Sequence, residues 1–572
     1  MGSADRLSAA VTHVDWLLFA ASSWAHDTEG TSFQVLFFRN QLTDPYYYVD
    51  MINNGAADVN VSISYFSWKN GAISDVPVNQ SVTIPARYHQ KYPFLSVYGS
   101  AIDYTIGPGF NIYPDLRVQI TASGPISVYA TNTATVKVKG VASHVVGDTY
   151  MVLPDSMAGR DYVINLPDAQ QTFNQKDLWQ MKVIFFIPVS SSAQITFSQK
   201  TSTGWSQEST FTIYKQAKQD QRYFAQMTGL GDSFFKISGN GDFLVLAGVT
   251  CAPDHQGDCD FAAYMPPPMV EQGCDVCSVT DDHLTYTSGG LLGDDKYVLA
   301  APKSCVQDVT YTVTQDNSDP STQTLSPNSY NAPSGSPIFG GKYLMYSTNQ
   351  ALLQMARIGN RTRQNGGLYM DLVPSLTQFT TGQSTFWAGS KKTIVKIFMN
   401  SAANGDLQID GQFPTGDIGS VEGWYVRTTT VLGGIHTVTS SGLYLLEIQT
   451  LVNEYAKGYI VAYNKQRSDR PVTCTLPPTT TTTTLSTPST PKNPATPSVP
   501  PVTTTPPSSP PTPTTLNPSS SSSSSSSTTT NTTTTTITTK PPGNSKNDKF
   551  ASQKFSVSVL AIVLSAVVFL NL

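Results

Sequence analysis

Ile120-Thr-Ala-Ser-Gly-Pro-Ile-Ser-Val-Tyr-Ala130 is the pattern from which most of this chain is built: a polar turn leads into an apolar strand. A variable loop and an aromatic strand, Asp148-Thr-Tyr-Met-Val-Leu-Pro154, complete the unit. Further copies begin at Ile237, Tyr346 and Thr439. The distance between successive copies is far larger than the ~20–50 residues of a solenoid repeat. We therefore predict one small β-module for each copy of the unit.

Around these units, residues 26–476 show the alternation of apolar and polar side chains that is typical of half-buried antiparallel strands. In Val59-Asn-Val-Ser-Ile-Ser-Tyr65, for example, every second side chain is apolar. We predict an all-β fold of tandem antiparallel β-modules, sandwich-like or propeller-like. The modules are divided into two regions, 26–270 and 271–476, with two modules each.

Three local features of this body lead to narrower predictions. Ser238-Gly-Asn-Gly241 has the composition of a turn. Residues 350–358 are the best candidate for a short helix. The acidic residues Asp281-Asp282-His283 and Asp294-Asp295 are predicted to form a solvated turn, with a calcium site as the less favoured alternative.

Composition restricts the class of protein. The 572 residues include 35 Lys and Arg and 40 Asp and Glu, so the net charge is −5. Charged residues make up 13%, about half of the ~25% usual for soluble domains. Because nucleic-acid binding needs clustered basic residues and no basic stripe is present, we predict no nucleic-acid partner. Aromatic residues, at 10%, are sufficient for several cores.

The N-terminal region resembles a secretory signal peptide. An apolar run, Trp16-Leu-Leu-Phe-Ala-Ala21, precedes small residues at Ser23 and Ala25. This arrangement predicts a signal peptide over residues 1–25 with cleavage before His26. The alternatives are a wrongly assigned start and a buried segment.

Residues 543–572 have the order of features that directs attachment of a glycosylphosphatidylinositol (GPI) lipid. The small residues Gly543, Asn544 and Ser545 are the attachment candidates. A polar spacer over 546–554 and an apolar tail over 555–572 follow them. A single membrane-spanning helix is the alternative. We favour the lipid anchor because no basic flank follows the tail, and either anchor places the body on the extracellular face of the plasma membrane.

Between body and tail, residues 477–542 consist almost entirely of Thr, Ser and Pro. Such a segment cannot bury enough apolar surface to offset its conformational entropy, so we predict disorder. Interspersed Ser, Thr and Pro are typical of O-glycosylated, mucin-like stalks. A plain linker is the alternative.

Cysteines and glycosylation motifs agree with an extracellular chain. An even number of cysteines predicts disulfide bonds, with the pairing left open; the candidates are Cys251, Cys259, Cys274, Cys277, Cys305 and Cys474. The Cys274-Asp-Val-Cys277 motif lacks the further ligands that a tetrahedral zinc site needs. Asn-X-Ser/Thr motifs predict N-glycosylation at Asn60, Asn79, Asn360 and Asn531.

The first half of the body resembles a known family. Gly30-Thr-Ser-Phe-Gln-Val-Leu-Phe-Phe-Arg-Asn40 precedes the Ile120–Ala130 unit, and Asp148-Thr-Tyr-Met-Val-Leu-Pro-Asp-Ser-Met-Ala-Gly-Arg-Asp-Tyr162 follows it. Next come the cysteines Cys251 and Cys259 and then Pro266-Pro-Pro268. This order resembles the N-terminal domain of the IgG Fc-binding protein family, found in mucus-associated and other extracellular proteins.

The resemblance covers about residues 30–268 and, more loosely, the rest of the body. It implies an extracellular, non-catalytic binding or adhesion module. Mucus members of the family continue into cysteine-dense von Willebrand-type modules, for which this chain has too few cysteines. No motif here identifies immunoglobulin-binding residues, so we assign none and do not predict antibody binding.

Catalytic motifs are absent from the sequence. It contains no Gly-x-Ser-x-Gly, His-Glu-x-x-His, Walker or dinucleotide-binding motif. We predict no cofactor, no metal and no enzyme activity. Most tryptophans are predicted to be core residues, although five could stack on sugars: Trp68, Trp179, Trp205, Trp387 and Trp424.

These observations favour a cell-surface recognition or adhesion protein. Its β-rich head would bind an extracellular protein or glycan and would be held above the membrane by the stalk and anchor. One alternative is a surface-anchored glycoside hydrolase or other hydrolase that uses a carboxylate pair in the β body. Another is a purely structural coat protein, which the sequence does not separate from an adhesion protein.

Overall fold

The computed structural model describes residues 26–465 with internal gaps. The gaps are 39–44, 70–71, 74–75, 95–102, 105–106, 137–143, 168–180, 202–203, 207, 216–220, 228–231, 254–258, 271–279, 288–294, 303–304, 306, 317, 327–341, 360–367, 390–391 and 453–454. The predicted signal peptide (1–25), stalk (477–542) and anchor (543–572) lie outside the described residues. The boundary predicted at 270/271 borders one of the gaps and stays a prediction.

We describe the strands in four groups that follow one another along the chain, and we call these groups modules 1 to 4. Module 1 contains β1 (Gly30–Val35), β2 (Phe37–Phe38), β3 (Tyr46–Asn53), β4 (Val59–Tyr65), β5 (Trp68–Lys69), β6 (Ala72–Ile73), β7 (Val78–Ile84), β8 (Tyr88–Phe94), β9 (Asp103–Tyr104), β11 (Val118–Val136) and β12 (His144–Val152). The intervening strand β10 (Gly109–Tyr113) pairs with β18 (Gln221–Met227) and joins the sheet of module 2. Module 2 contains β13 (Gly159–Leu166), β14 (Met181–Pro188), β15 (Ser192–Thr201), β16 (Gly204–Trp205), β17 (Ser209–Tyr214), β18 (Gln221–Met227), β19 (Ser233–Pro253) and β20 (Cys259–Tyr264).

The second half of the body is also built of strands. Module 3 contains β21 (Asp281–Thr287), β22 (Lys296–Ala300), β23 (Val309–Gln315), β24 (Ser321–Leu325), β25 (Lys342–Thr348), β26 (Gln354–Gly359) and β27 (Tyr369–Val373). Module 4 contains β28 (Thr380–Ala388), β29 (Thr393–Met399), β30 (Gln408–Ile409), β31 (Asp417–Val421), β32 (Trp424–Val431), β33 (Gly434–Val452) and β34 (Tyr455–Ile460). Helical structure among the described residues is limited to α1 (Ser401–Asp406) and the 3₁₀ turns Asp155–Met157 and Leu376–Gln378.

The long strands β11, β19 and β33 organise modules 1, 2 and 4, because each changes partners half-way along. The first half of β11 pairs with β1 and β4, and its second half pairs with β3 and β12. Likewise β19 pairs first with β13 and β15 and then with β14 and β20. In module 4, β33 pairs first with β28 and β30 and then with β29 and β34. In module 3 the two halves are separate strands, β25 and β26.

The prediction of an all-β, antiparallel fold is confirmed: apart from the short parallel pair β2–β9, the described strands pair antiparallel. The turn predicted at Ser238-Gly-Asn-Gly241 is wrong, since these residues continue β19. Pairing with β15 reaches Gly239, and pairing with β14 starts at Phe243. A Cβ atom at Gly239 would lie 2.7 Å from the Phe243 ring, so glycine here permits close packing at the change of partners.

The helix predicted over residues 350–358 is also wrong, because its second half is the strand β26. Every residue of β26 is buried, and the strand lies between β22 and β27. A strand that is covered on both faces lacks the alternation of apolar and polar residues from which strands are recognised in a sequence.

The last strand of each module lies at the centre of the body. β12 packs against β20 and β34, and β27 packs against the same two strands, so the four form a closed ring. The Asp148 carboxylate, fully buried at this centre, accepts hydrogen bonds from the backbone N–H groups of Ala263 (3.2 Å) and Met370 (3.4 Å). One side chain thereby links three of the modules.

Residues from the two ends of the described chain add further contacts between the first and last modules. The Thr28 N–H donates to the Tyr463 carbonyl (3.3 Å), and the Tyr463 N–H donates to Thr28 Oγ1 (3.2 Å). The Lys465 N–H donates to the Asp27 carboxylate at 2.9 Å. His26, only 5% exposed, contacts Ser384 Oγ through Nε2 at 2.8 Å. Module 1 is therefore tied directly to module 4.

Candidate functional site

A cavity of about 330 Å³ lies at the seam between modules 1 and 4, and we call it the seam cleft. Module 1 contributes β3, β8, β11 and β12, and module 4 contributes the end of β28 together with β33 and β34. The residues that line it are Tyr48, Asp50, His89, Lys91, Tyr129, Thr149, Trp387, Gly389, Thr450 and Tyr459.

Alternation along β3 places two polar side chains in the seam cleft. Tyr47, Val49 and Met51 are fully buried in the core, so Tyr48 and Asp50 project from the opposite face of the strand. Asp50 lies directly across from Lys91 on β8 and from Tyr129 on β11. Cross-strand neighbours on one face are close enough to interact, which groups a carboxylate, an ammonium and a phenol.

His89 connects the two modules across the seam. Its Nε2 lies 2.7 Å from an oxygen of Asp50, and its ring stacks on Trp387 with 4.0 Å between centroids and an angle of 12°. The side chains of His89 and Asp50 are only 9% and 12% exposed. The bond to Asp50 fixes the imidazole, and the imidazole in turn supports the indole of Trp387.

Lys91 forms the mouth of the seam cleft. It is exposed, and its ammonium lies 3.3 Å from the centroid of the Tyr48 ring and 5.1 Å from that of Tyr46. A cation over an aromatic face is attracted by the ring, which holds the lysine in place. Burial, assisted by Asp50, raises the pKa of the Tyr48 hydroxyl.

Tyrosines and threonines form the inner wall. Tyr129 donates a hydrogen bond to the carbonyl of Val461 at 2.6 Å, and Tyr459 donates to the carbonyl of Trp387 at 2.5 Å. Burial raises the pKa of both phenols. Their rings lie 4.8 Å apart. Because both hydroxyls bond to the backbone of module 4, this wall is fixed relative to Trp387.

A second group of charged residues lies at the seam between modules 3 and 4, and we call it the ion cluster. Arg357 pairs with Glu447 and lies 3.5 Å from Asp371, while Lys396 lies 3.1 Å from Glu447 and 3.8 Å from Asp295. Arg357, Lys396, Glu447 and Asp295 are each at most 3% exposed. The adjoining cavity measures about 10 Å³, which is space for about one water molecule.

Burial and pairing have opposite effects on the acids of the ion cluster. Burial opposes ionisation of Glu447, but Arg357 and Lys396 together lower its pKa. Burial raises the pKa of Asp371 to about 7, even though Arg357 acts in the other direction. The two cations are therefore shared among three carboxyl groups, and Asp371 is the one least stabilised as an anion.

The predicted disulfide and glycosylation sites are only partly described. Cys251 and Cys305 are disulfide-bonded and buried. The side chain of Cys259, and Cys274, Cys277 and Cys474, lie outside the described residues. Asn60 and Asn79 are exposed on the neighbouring strands β4 and β7, as glycan acceptors must be. Asn360, Asn531 and the anchor candidates Gly543, Asn544 and Ser545 are not described.

The solvated turn predicted at Asp281-Asp282-His283 is wrong, since these residues begin β21. Asp281 and His283 are 0% and 1% exposed. Asp281 accepts a hydrogen bond from the Leu353 N–H (2.6 Å), and His283 bonds to Asp281 and to the carbonyl of Val373. No group of three potential metal ligands occurs among the described residues.

Of the five tryptophans proposed for sugar contact, Trp387 lies in the seam cleft. Trp424 packs edge-on against Phe379, with 5.5 Å between the ring centroids. The side chains of Trp68, Trp179 and Trp205 lie outside the described residues. Sequence reasoning missed Asp50, His89 and Lys91, whose only signal was alternation along β3 and β8.

Comparisons with protein-family models and with curated proteins gave no match to this sequence. The resemblance to the IgG Fc-binding protein family therefore stays a prediction. In the described part of the chain, no helix has the length and apolar character needed to span a bilayer.

Proposed function

We propose that this protein is a cell-surface recognition or adhesion protein that acts without catalysis through its four-module head. The observation that supports this most directly is the distribution of carboxylates. Among the described residues, Asp50 is the one carboxylate that lines the seam cleft, and it is bonded to His89. Glycoside hydrolysis typically needs two carboxyl groups on either side of an accessible bond.

The ion cluster does hold several carboxylates, but its geometry argues against hydrolysis. Asp295 and Glu447 are at most 3% exposed and lie beside Lys396. With space for about one water, the adjoining cavity cannot admit a sugar. A charged group that is paired with cations and sealed from solvent is a structural element rather than a reactive one.

The remaining parts of the proposal come from the sequence. A signal peptide over 1–25, a glycosylated stalk over 477–542 and a GPI anchor over 543–572 would present the head outside the cell. Display of many copies on one membrane multiplies a weak affinity, since binding by one copy raises the effective concentration of the next. The family resemblance at residues 30–268 agrees with an extracellular binding module.

The full-length protein, expressed on cultured cells, tests the proposal in two steps. Phosphatidylinositol-specific phospholipase C should release it, whereas retention beside a released GPI-anchored control would indicate a spanning helix. Beads coated with the purified full-length protein should adhere to mucin-coated or cell-covered surfaces. Failure to adhere, together with turnover of a panel of nitrophenyl glycosides, would replace the proposal with the hydrolase alternative.

A further inference from the structure

We propose that the seam cleft is a binding site for a neutral saccharide, one or two sugar rings at the end of a glycan. This inference deepens the proposed function and rests on it, because it names the ligand class that the head recognises. It depends on four observations: the mixture of aromatic and hydrogen-bonding side chains, the contacts that hold them in place, the balance of charge and the size of the cavity.

The lining matches the two kinds of surface that a sugar presents. The C–H faces of a pyranose ring pack on aromatic rings, and the lining includes Trp387 and Tyr48 on opposite sides of the seam. One face of Trp387 is covered by His89 and one face of Tyr48 by Lys91, which leaves the second face of each ring for a sugar. Sugar hydroxyls both donate and accept hydrogen bonds. Asp50 accepts and Lys91 donates, and the two lie on directly paired positions of β3 and β8.

Contacts within the protein hold several side chains of the seam cleft in place. His89 holds Trp387 by ring stacking at 4.0 Å and is itself held by Asp50. Tyr459 fixes the backbone of Trp387 from the other side through its 2.5 Å hydrogen bond. Weak ligands such as sugars benefit from this preorganisation, because the protein loses little conformational entropy when they bind.

The charges of the seam cleft favour a neutral ligand. Asp50 and Lys91 have opposite charges and lie at directly paired positions of two neighbouring strands. The seam cleft therefore has no excess of positive or negative charge from this pair. An acidic sugar would bring its carboxylate near Asp50, and a cationic ligand would approach Lys91. Hydroxyl groups can bond to both residues without either repulsion.

The volume limits the length of the ligand. At about 330 Å³ the seam cleft lies at the lower end of the ~300–1,000 Å³ that is typical of small-molecule sites. One or two rings fit this space, but a long stretch of polymer does not. A terminal glycan unit is therefore a better match than an internal segment of a polysaccharide.

The test uses the purified full-length protein in detergent and saturation-transfer NMR with defined probes: N-acetylglucosamine, N-acetylgalactosamine, lactose and, as the acidic comparison, sialyllactose. We expect at least one neutral probe to bind and sialyllactose to bind no better than lactose. Asp50→Asn and Lys91→Gln should each weaken binding of the probe about tenfold, because hydrogen bonds to charged groups are stronger than those to neutral ones. Lys91 is exposed, so its variant should fold even if the Asp50 variant does not.

Tyr88→Ala is the matched control, because Tyr88 is 52% exposed and neighbours His89 on β8 but projects from the other face. It should leave probe binding unchanged. Equal loss in Tyr88→Ala and Lys91→Gln, no binding by any neutral probe, or tighter binding of sialyllactose would overturn the proposal. If beads still adhere while no sugar binds and Lys91→Gln has no effect on adhesion, the ligand is a protein surface. In that outcome the saccharide inference fails and the adhesion function stands.

Discussion

The seam cleft and the ion cluster are built from the same kinds of side chain, yet only the first is open. In the ion cluster, Arg357 and Lys396 are at most 2% exposed and face carboxylates. In the seam cleft Lys91 is exposed, and the cavity is about 330 Å³ against about 10 Å³. Charges that neutralise one another out of water hold modules together, whereas charges at the edge of a cavity remain accessible to a ligand.

Glycines explain part of this difference. Tyr369 occupies the space between β26 and β34, where a Cβ atom at Gly359 or Gly458 would lie 2.1 or 2.2 Å from its ring. Tyr369 also accepts a hydrogen bond from Gln449 at 2.6 Å. Beside the seam cleft, a Cβ atom at Gly389 would meet nothing nearer than the Trp387 Nε1 at 4.0 Å. The seam between modules 3 and 4 is closed by the Tyr369 ring, which packs onto the backbone of Gly359 and Gly458. At the seam between modules 1 and 4, no ring of the described residues packs in this way onto Gly389.

The largest expected effect follows from removing one charge of the ion cluster. Arg357→Met should lower the free energy of unfolding by about 3–5 kcal/mol, because Glu447 and Asp371 would be left buried beside fewer cations. Denaturant unfolding of the full-length protein, followed by tryptophan fluorescence, measures this. Arg160→Met is the control, since the Arg160–Asp242 pair is 49% exposed on both sides and should contribute about 0–1 kcal/mol. Equal effects of the two substitutions would show that burial does not distinguish the ion cluster.

A pair of glycine substitutions compares the two seams directly. Gly458→Ala should destabilise by about 1–3 kcal/mol, because its methyl group would overlap the Tyr369 ring. Gly389→Ala should change stability by less than ~0.5 kcal/mol, since the site has room. Thermal unfolding of both variants measures the difference. Equal melting temperatures would contradict the account of why one seam is closed.

The smallest expected effect concerns pH. Burial raises the pKa of Asp371 to about 7, above that of an unfolded aspartate, so its contribution to stability is complete at low pH and is lost as the pH rises from ~4 to ~7. The protein should therefore be less stable at pH 8 than at pH 5. Asp371→Asn should reduce that difference by roughly 1–2 kcal/mol.

Glu29 is one of the other buried groups whose shifted pKa contributes to the pH dependence. Burial also raises its pKa to about 7, so Asp371→Asn should flatten the pH dependence without abolishing it. The measurement is denaturant unfolding at both pH values. An unchanged difference between pH 5 and pH 8 in the variant would exclude Asp371 as a source of the dependence.

Alternation in the sequence was sufficient to predict the fold class, but not the strand boundaries. Val59, Val61 and Ile63 are buried on β4 as predicted from their period of two. Ser238-Gly-Asn-Gly241 has the composition of a turn, but backbone pairing with neighbouring strands keeps it extended. That pairing is non-local, and a local pattern contains no information about it.

The candidate site was harder to predict for the same reason. Trp387 could be proposed from its chemistry alone. Asp50 and His89 form a pair only because β3 and β8 are neighbours in register, and they meet Trp387 only because module 4 returns to module 1. Nearly 300 positions separate His89 from Trp387, a distance over which periodicity predicts nothing.

The contact between Thr28 and Tyr463 has a consequence for biosynthesis. The two residues are 435 positions apart, so at ~5–20 residues per second Thr28 emerges from the ribosome roughly 20–90 s before its partner. During that interval the edge of the nascent first module has no lasting neighbour. Assembly must therefore finish after translation of the last strand. A chain truncated before Tyr463 would expose an unpaired, aggregation-prone edge that chaperones would have to cover.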